Sequence, residues 1–406
     1  MHVLFVSTRS PWPLTGGHAL RTFHLLREAA RQHCVSFLTF VQHEEEWDGL
    51  PVLREFCEDV VALPIPGGGK LALAASLSAN VLSSRPFVAT KYDTQGMRRA
   101  IDRVKESRNI DLIHLDMLPL SVYAGSAGRA PVVQVDHNVE YILLERRAAN
   151  QTGFSKRFWT MQAERLKRFE SAAVRNATRT IAVSDLDAGI LRQLAPGAEV
   201  RTVPNGVDTA FFHPLPGASN PDHLVFVGSM TYYPNVDSVH YFVDAIWPAI
   251  RAARPKAQFT VIGAHPPESI KAFGSAAGIN VLGQVPDIRP YVGDAAVYVV
   301  PLRVGGGTRL KILDAMAMGK AIVSTTVGCE GLDVADGRDI AVADTPSEFA
   351  GRVLTLMNDA ATRDLMGSAA RATVQAAYGW ERLGAMQESV YQEARDAIRR
   401  GERDDG

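Results

Sequence analysis

Residues 299–319 read Val299-Val-Pro-Leu-Arg-Val-Gly-Gly-Gly-Thr-Arg-Leu-Lys-Ile-Leu-Asp-Ala-Met-Ala-Met-Gly319. The stretch opens as a buried strand ending near Pro301. The glycines Gly305, Gly306 and Gly307 then let the backbone come close to a ligand. Thr308 is placed to cap a helix over Arg309–Met318, and Gly319 is placed to stop it. Backbone N–H groups of the glycine loop and of the first helical turn, which includes Leu310, join the positive end of the helix dipole to form an anion site. Arg309 adds a planar two-pronged donor and Lys311 a compact positive charge. Asp314 stands one and a half turns further on, where it can meet a neutral hydroxyl such as that of a ribose. This pattern suits a nucleotide diphosphate; the plainer alternative is a tight strand-to-helix turn.

The strand–glycine–helix unit recurs outward from there. His2–Val6 is a short apolar run, followed by Gly16 and Gly17 and an amphipathic helix over about Ala19–Arg31. Apolar runs return at Val35–Phe40, Val60–Leu63, Leu112–Leu115, Val132–Val135 and Thr180–Val183, mostly with helical stretches between them. A Pro-rich break follows, and the alternation restarts at Leu224–Val227, which ends at Gly228. It continues through Phe259–Ile262, Val297–Val300, Ala321–Ser324 and Ile340–Val342. Such alternation predicts α/β domains with parallel sheets. The domains are expected at 1–203 and 222–377, with a linker over 204–221 and a final helix and tail over 378–406.

The 406 residues carry 43 Lys and Arg against 44 Asp and Glu, so no basic excess points to nucleic acid. The three cysteines Cys34, Cys57 and Cys329 lie far apart, which disfavours a disulfide framework or a structural zinc site. The start reads as a strand rather than a signal peptide, and a cytoplasmic location is expected. Leu71–Ser84 is short for a bilayer span and holds four serines. Gly67-Gly-Gly-Lys70 lacks the spacing of an ATP-binding loop, and no dinucleotide-binding glycine fingerprint follows a strand.

Several motifs, taken in order, resemble the retaining GT-B glycosyltransferases of family 4. They are the Gly16-Gly17 loop, Val135-Asp-His137, Val183-Ser184, Pro204-Asn-Gly-Val-Asp208, Phe226-Val-Gly228, the glycine segment ending at Gly319, and Tyr378-Gly-Trp380. The N-terminal half looks, more loosely, like sugar transferases of bacterial exopolysaccharide assembly. The resemblance implies two Rossmann-like domains with parallel sheets facing across a cleft, and a C-terminal helix crossing back to the N-terminal domain. It implies a nucleotide sugar held mainly by the second domain, a glycan or lipid-linked acceptor at the first, and neither cofactor nor metal. His137 resembles the family's histidine that contacts the donor sugar, and Asp136 and Glu140 are candidates for hydroxyl contacts beside it.

The chain departs from the family's pattern in three places. Gly306 replaces the usual Glu, Asp314 is shorter than the usual Glu, and Ser229 and Asn235 stand where Arg and Lys usually clamp the diphosphate. Arg309 and Lys311 are inferred to supply that charge. Asp185-Leu-Asp187 is read as the first turn of a helix capped by Ser184, not as a metal motif.

The segment Arg146–Arg168 mixes Arg147, Lys156, Arg157, Arg165, Lys167 and Arg168 with Phe158 and Trp159. Diluted by Glu145, Glu164 and Glu170, it reads first as a solvated helical face, with peripheral contact to an anionic membrane as the alternative. Three rival functions are a nucleotide-sugar epimerase of the same plan, a non-catalytic nucleotide-sugar-binding subunit, and a periplasmic binding protein. The last is disfavoured by the absent signal.

Overall fold

Val3, Leu4, Phe5 and Val6 are all within 1% of complete burial, so the first strand must be covered on both faces. An all-parallel sheet with helices on each side provides that cover. In the computed structural model, which describes residues 1–14, 16–65, 80, 83–149, 151–217, 219–304 and 309–404, the chain forms two units. One comprises Met1–Asn205 with Trp380–Gly406, the other Gly206–Gly379. Gly67–Lys70, most of Leu71–Ser84, Asn150 and the whole loop Gly305, Gly306, Gly307 and Thr308 lie outside the described residues.

In the first unit the described strands are β1 (His2–Ser7), β2 (Cys34–Val41), β3 (Asp59–Pro64), β4 (Leu112–Asp116), β5 (Val132–Asp136), β6 (Arg179–Ala182) and β7 (Val200–Thr202). They lie in the order β3-β2-β1-β4-β5-β6-β7, every pair parallel. The second unit holds β8 (Asn220–Val227), β9 (Gln258–Ile262), β10 (Ile279–Gly283), β11 (Ala295–Val300), β12 (Ala321–Ser324) and β13 (Ala341–Val342). Their order is β10-β9-β8-β11-β12-β13, again parallel. Both are doubly wound, with strand order reversing between β1 and β4 and between β8 and β11. The sequence reading passed over β7 and β10, which are short edge strands. β10 alternates between more buried and exposed positions, where central strands such as β4, β5 and β11 are buried throughout.

The helices that matter for function are α1 (Gly17–Gln32), α2 (Phe87–Tyr92), α3 (Glu140–Ala149), α4 (Gly153–Asn176), α5 (Asp185–Leu194), α6 (Tyr233–Tyr241), α7 (Leu310–Ala317) and α8 (Trp380–Asp404). Ser184 Oγ accepts the Asp187 N–H at 3.1 Å, so the Asp-Leu-Asp run is the first turn of α5, as its capping pattern predicted. The Pro-rich stretch from Gly206 onward belongs to the second unit. Val207 bridges Gly379, and Asp208 Oδ1 accepts the N–H groups of Ala210 and Phe211.

The last helix closes the core of the first unit. Trp380, Leu383, Val390, Tyr391 and Ala394 recur at helical spacing and join Val3, Phe5, Phe23 and Leu26 in one apolar cluster. The His24 and Trp380 rings stack at 4.8 Å with planes 2° apart. Gly384 is required for close approach, because a Cβ there would lie 2.5 Å from Glu28. The Tyr391 hydroxyl is 2.7 Å from His114 Nδ1, and burial pushes that imidazole down to about 3, so it is neutral at physiological pH. Tyr391→Phe leaves this ring nitrogen without a partner. It should destabilise the protein by about 1–3 kcal/mol, read as a lower urea midpoint at unchanged slope.

Candidate functional site

Ligands of open α/β sheets gather at the carboxyl ends of the strands where the order reverses. In the second unit that point lies between β8 and β11. Gly228 follows β8, and α7 follows β11. Lys311, in the first turn of α7, donates from Nζ to Asn235 Oδ1 at 2.6 Å and sits 4.4 Å from the Phe226 ring centroid. Asn235, in α6, is itself oriented by donating from Nδ2 to the Ser229 carbonyl at 2.8 Å. A Cβ on Gly228 would lie 2.6 Å from Lys311 Nζ, so only glycine leaves the ammonium its place. Burial, and secondarily Arg309, pushes Lys311 down to about 7. The lysine brought by α7 thus reaches the loop after β8, where the family's pattern has a cation and this chain has Asn235.

Arg309 precedes the first turn of α7 and is only 5% exposed. Its Nε and Nη2 donate to the Val327 carbonyl at 3.3 and 3.2 Å, with Glu330 4.0 Å away. It therefore ties α7 to the loop after β12. The helix is one residue shorter at each end than the sequence pattern predicts. Leu310 opens it, and Gly319, at φ 66°, follows its C-cap Met318. Asp314 is partly buried, and its carboxyl has no hydrogen bond or ion pair among the described residues. Burial pushes its carboxyl up to about 7.

In the first unit the reversal lies between β1 and β4, whose last residues Ser7 and Asp116 are register partners. Gly16 takes φ 91°, a conformation costly for other residues, and turns the chain into α1, which starts at Gly17. That turn brings His18 and Thr22 over Asp116. Asp116 is 2% exposed, and its Oδ2 accepts from Thr22 Oγ1 at 2.5 Å and, weakly, from Ser7 Oγ at 3.5 Å. His137, just past β5, donates from Nε2 to Asp116 Oδ1 at 2.7 Å. Burial alone would raise the Asp116 carboxyl, but His137, His18 and His114 overcome it and hold the group well below the usual carboxylate range. His18 Nε2 lies 3.8 Å from Asp116, neither ring nitrogen has a hydrogen bond among the described residues, and burial pushes the ring down to about 4. Arg21, on the next turn of α1, is buried and donates to the Pro204 carbonyl at 2.7 Å and to Asn205 Oδ1 at 3.1 Å. This contact gives the Pro204-Asn205 motif its structural role.

Asp136 and Glu140 are placed differently from His137. Asp136 is 1% exposed, its Oδ1 accepts from Gln134 Nε2 at 3.1 Å, and burial raises it to about 7. Glu140 begins α3, and burial raises its carboxyl too. The fully buried Glu170 on α4 accepts the N–H groups of Glu140 and Tyr141 at 2.9 and 3.0 Å, which caps α3 from outside. Their contacts are internal to the unit and fix the loop that carries His137. Asp116, His18 and Thr22 escaped the sequence reading. A polar residue closing an apolar strand at Leu115-Asp116, and a histidine directly after Gly16-Gly17, were the available signals.

Donor atoms of His18, Asp116 and His137 lie within 4.8 Å of one another, a spacing open to a divalent cation. Both oxygens of Asp116 already accept protein hydrogen bonds, so the same atoms also serve as the anchor that orients the His137 ring.

Residues 15–211 match the family model described as Glycosyltransferase Family 4, and residues 221–359 match that of Glycosyl transferases group 1. The chain belongs to the group 1, family 4 glycosyltransferases. Among solved structures, this family-4 chain has the GT-B fold of sucrose-phosphate synthase from Thermosynechococcus elongatus. The TM-score is 0.68 at 16% identity over 97% of this chain and 98% of that one. Anabaena HepE in complex with UDP-glucose superposes with a TM-score of 0.65 at 16% identity, covering 97% and 99%. A Corynebacterium glutamicum GDP-mannose-dependent monoacylated phosphatidylinositol monomannoside mannosyltransferase is 29% identical over 36% of this chain. An uncharacterized Klebsiella pneumoniae protein in a cps region is 24% identical over 32% of this chain. The matches span only 36% and 41% of the Klebsiella and Corynebacterium relatives' own lengths. No described helix is long and apolar enough to cross a membrane.

Proposed function

We propose that this chain transfers a sugar from a nucleotide diphosphate donor to a glycan or lipid-linked acceptor, with retention at the anomeric carbon and without a metal ion. The observation that carries the reading is Lys311 held against Asn235 and Gly228 at the strand-order reversal of the second unit. As the glycosidic bond to the diphosphate breaks, negative charge grows on the leaving phosphate. A fixed, partly desolvated ammonium at a helix N-terminus is suited to that charge. Arg309 keeps α7 in position and adds positive potential. Asp314, with no protein partner among the described residues, is suited to a ribose hydroxyl.

In the first unit, His137 anchored on Asp116 offers a ring of fixed orientation to the donor sugar, beside the Gly16-Gly17 turn. Retention follows if the acceptor hydroxyl attacks from the face the phosphate leaves, giving its proton to the departing phosphate oxygen. No enzyme nucleophile is then needed. The relatives' names support a nucleotide-sugar donor and an acceptor in a glycan or glycolipid; they leave open which sugar and base.

The test begins with nucleotide diphosphates and their sugars screened by thermal shift, since specific binding raises apparent stability. The donor found is then incubated with cell-envelope lipid and glycan extracts in the presence of a chelator. Expected is nucleotide release that needs acceptor, survives chelation and yields a product of unchanged anomeric configuration. Release that ignores acceptor would point to the epimerase, and binding without turnover to a non-catalytic subunit.

A further inference from the structure

On the first unit, α2, α3 and α4 enclose an apolar pocket of about 90 Å³. Phe87, Val88, Leu144, Phe158 and Trp159 supply its walls together with Gln162. The amide of Gln162 is held at both ends: Oε1 accepts the Phe87 N–H at 3.0 Å, and Nε2 donates to Asn80 Oδ1 at 2.8 Å. Every other lining side chain is apolar, so the pocket suits hydrocarbon rather than sugar.

The surface around it is apolar and cationic together. Phe154 is 81% exposed on the first turn of α4. It lies four residues before Phe158, hence on the same helix face. Arg147 places its guanidinium 3.7 Å from the centroid of the Trp159 ring. Lys156, Arg157 and Arg168 are exposed and form no ion pair among the described residues. Over residues 144–168 there are seven Lys and Arg against two Glu, although the whole chain carries a net charge of −1. The positive charge is thus gathered where the aromatic residues emerge.

We infer that the N-terminal part of α4 docks on an anionic phospholipid bilayer, with Phe154 entering the interface, a hydrocarbon chain seated in the Phe158–Trp159 pocket, and Lys156 and Arg157 meeting lipid phosphates. Charge complementarity selects this occupant over a neutral apolar partner, because exposed cations stand on both helices, Arg147 on α3 and Lys156 and Arg157 on α4. The inference stands independently of the transfer chemistry, whose residues lie elsewhere.

The test is sedimentation of the intact protein with vesicles of phosphatidylcholine alone or containing phosphatidylglycerol. Binding is expected on the anionic vesicles, weakened by salt, with little on phosphatidylcholine alone. Phe154→Ser should weaken it on the order of tenfold, and the double variant Lys156→Glu/Arg157→Glu by about 100-fold or more. Both variants should keep the wild-type thermal midpoint, which separates lost docking from lost folding. Equal binding to both vesicle types, binding unchanged in the charge-reversed variant, or no binding to anionic vesicles would each overturn the proposal.

Discussion

Replacing Lys311 by methionine is expected to lower turnover by roughly 10²–10³, the loss typical when one fixed donor to a developing charge is removed. Methionine keeps most of the length and packs against Phe226, so the change isolates the charge. The fold should not suffer. A partly buried ammonium pushed down to about 7 is held at a cost, and removing it leaves only Asn235 Oδ1 without that donor.

The same residue predicts a proton linkage. An anion bound beside Lys311 raises its proton affinity, so nucleotide diphosphate binding at about pH 8 should take up close to one proton. Calorimetry in buffers of different ionisation heat would read this. The binding enthalpy should depend on the buffer for the wild type and not for Lys311→Met. Donor affinity should weaken as pH rises through the value of the free lysine. A Lys311→Met enzyme with near-normal turnover would remove the assignment at its root.

Asp116→Asn is expected to destabilise the first unit by about 3–5 kcal/mol at neutral pH, the usual outcome when one partner of a buried charged group is removed. Asp116 is ringed by His18, Arg21, His114 and His137, and burial alone would favour its neutral form. His137 above all, hydrogen-bonded to Asp116 Oδ1 at 2.7 Å, offsets that penalty and holds the carboxyl below its usual range. A carboxyl depressed by folding contributes its stability above its unfolded value of about 3.9 and loses it as pH falls below that. The gap between wild type and Asp116→Asn should therefore be flat from neutrality down to about pH 4 and shrink below it.

His18 and His114, pushed down to about 4 and 3, act in the same direction but earlier. The unfolded chain takes up their protons below about 6.5 while the folded one does not, so stability begins to fall there. Chemical denaturation across this pH range checks both windows. A gap that widens toward acid would contradict the charge assignment at Asp116.

The fold was legible because its signals are local. Each central strand of either sheet is a mainly apolar run, and several are followed by a polar or glycine-bearing end, as at Ser7, Asp116 and Gly228. Edge strands β7 and β10 carried no such run, since half of an edge strand's surroundings is solvent. The breadth of the Pro-rich break was misleading for a related reason. Proline and glycine mark turns whether the turn joins domains or, as from Gly206 onward, packs within one.

What the sequence by itself determined is the α/β architecture with its parallel sheets, and the strand–loop–helix unit that brings Lys311 to the start of a helix. These follow from residue periodicity and from chemistry confined to one strand–loop–helix unit. Only the tertiary structure decided that Lys311 reaches Asn235, 76 positions away, that Arg309 turns to the Val327 carbonyl, and that His137 is anchored by Asp116 on a neighbouring strand. A parallel sheet brings together side chains from strand ends remote in the chain. The partner of a charged group is set by that convergence, and no local pattern encodes it.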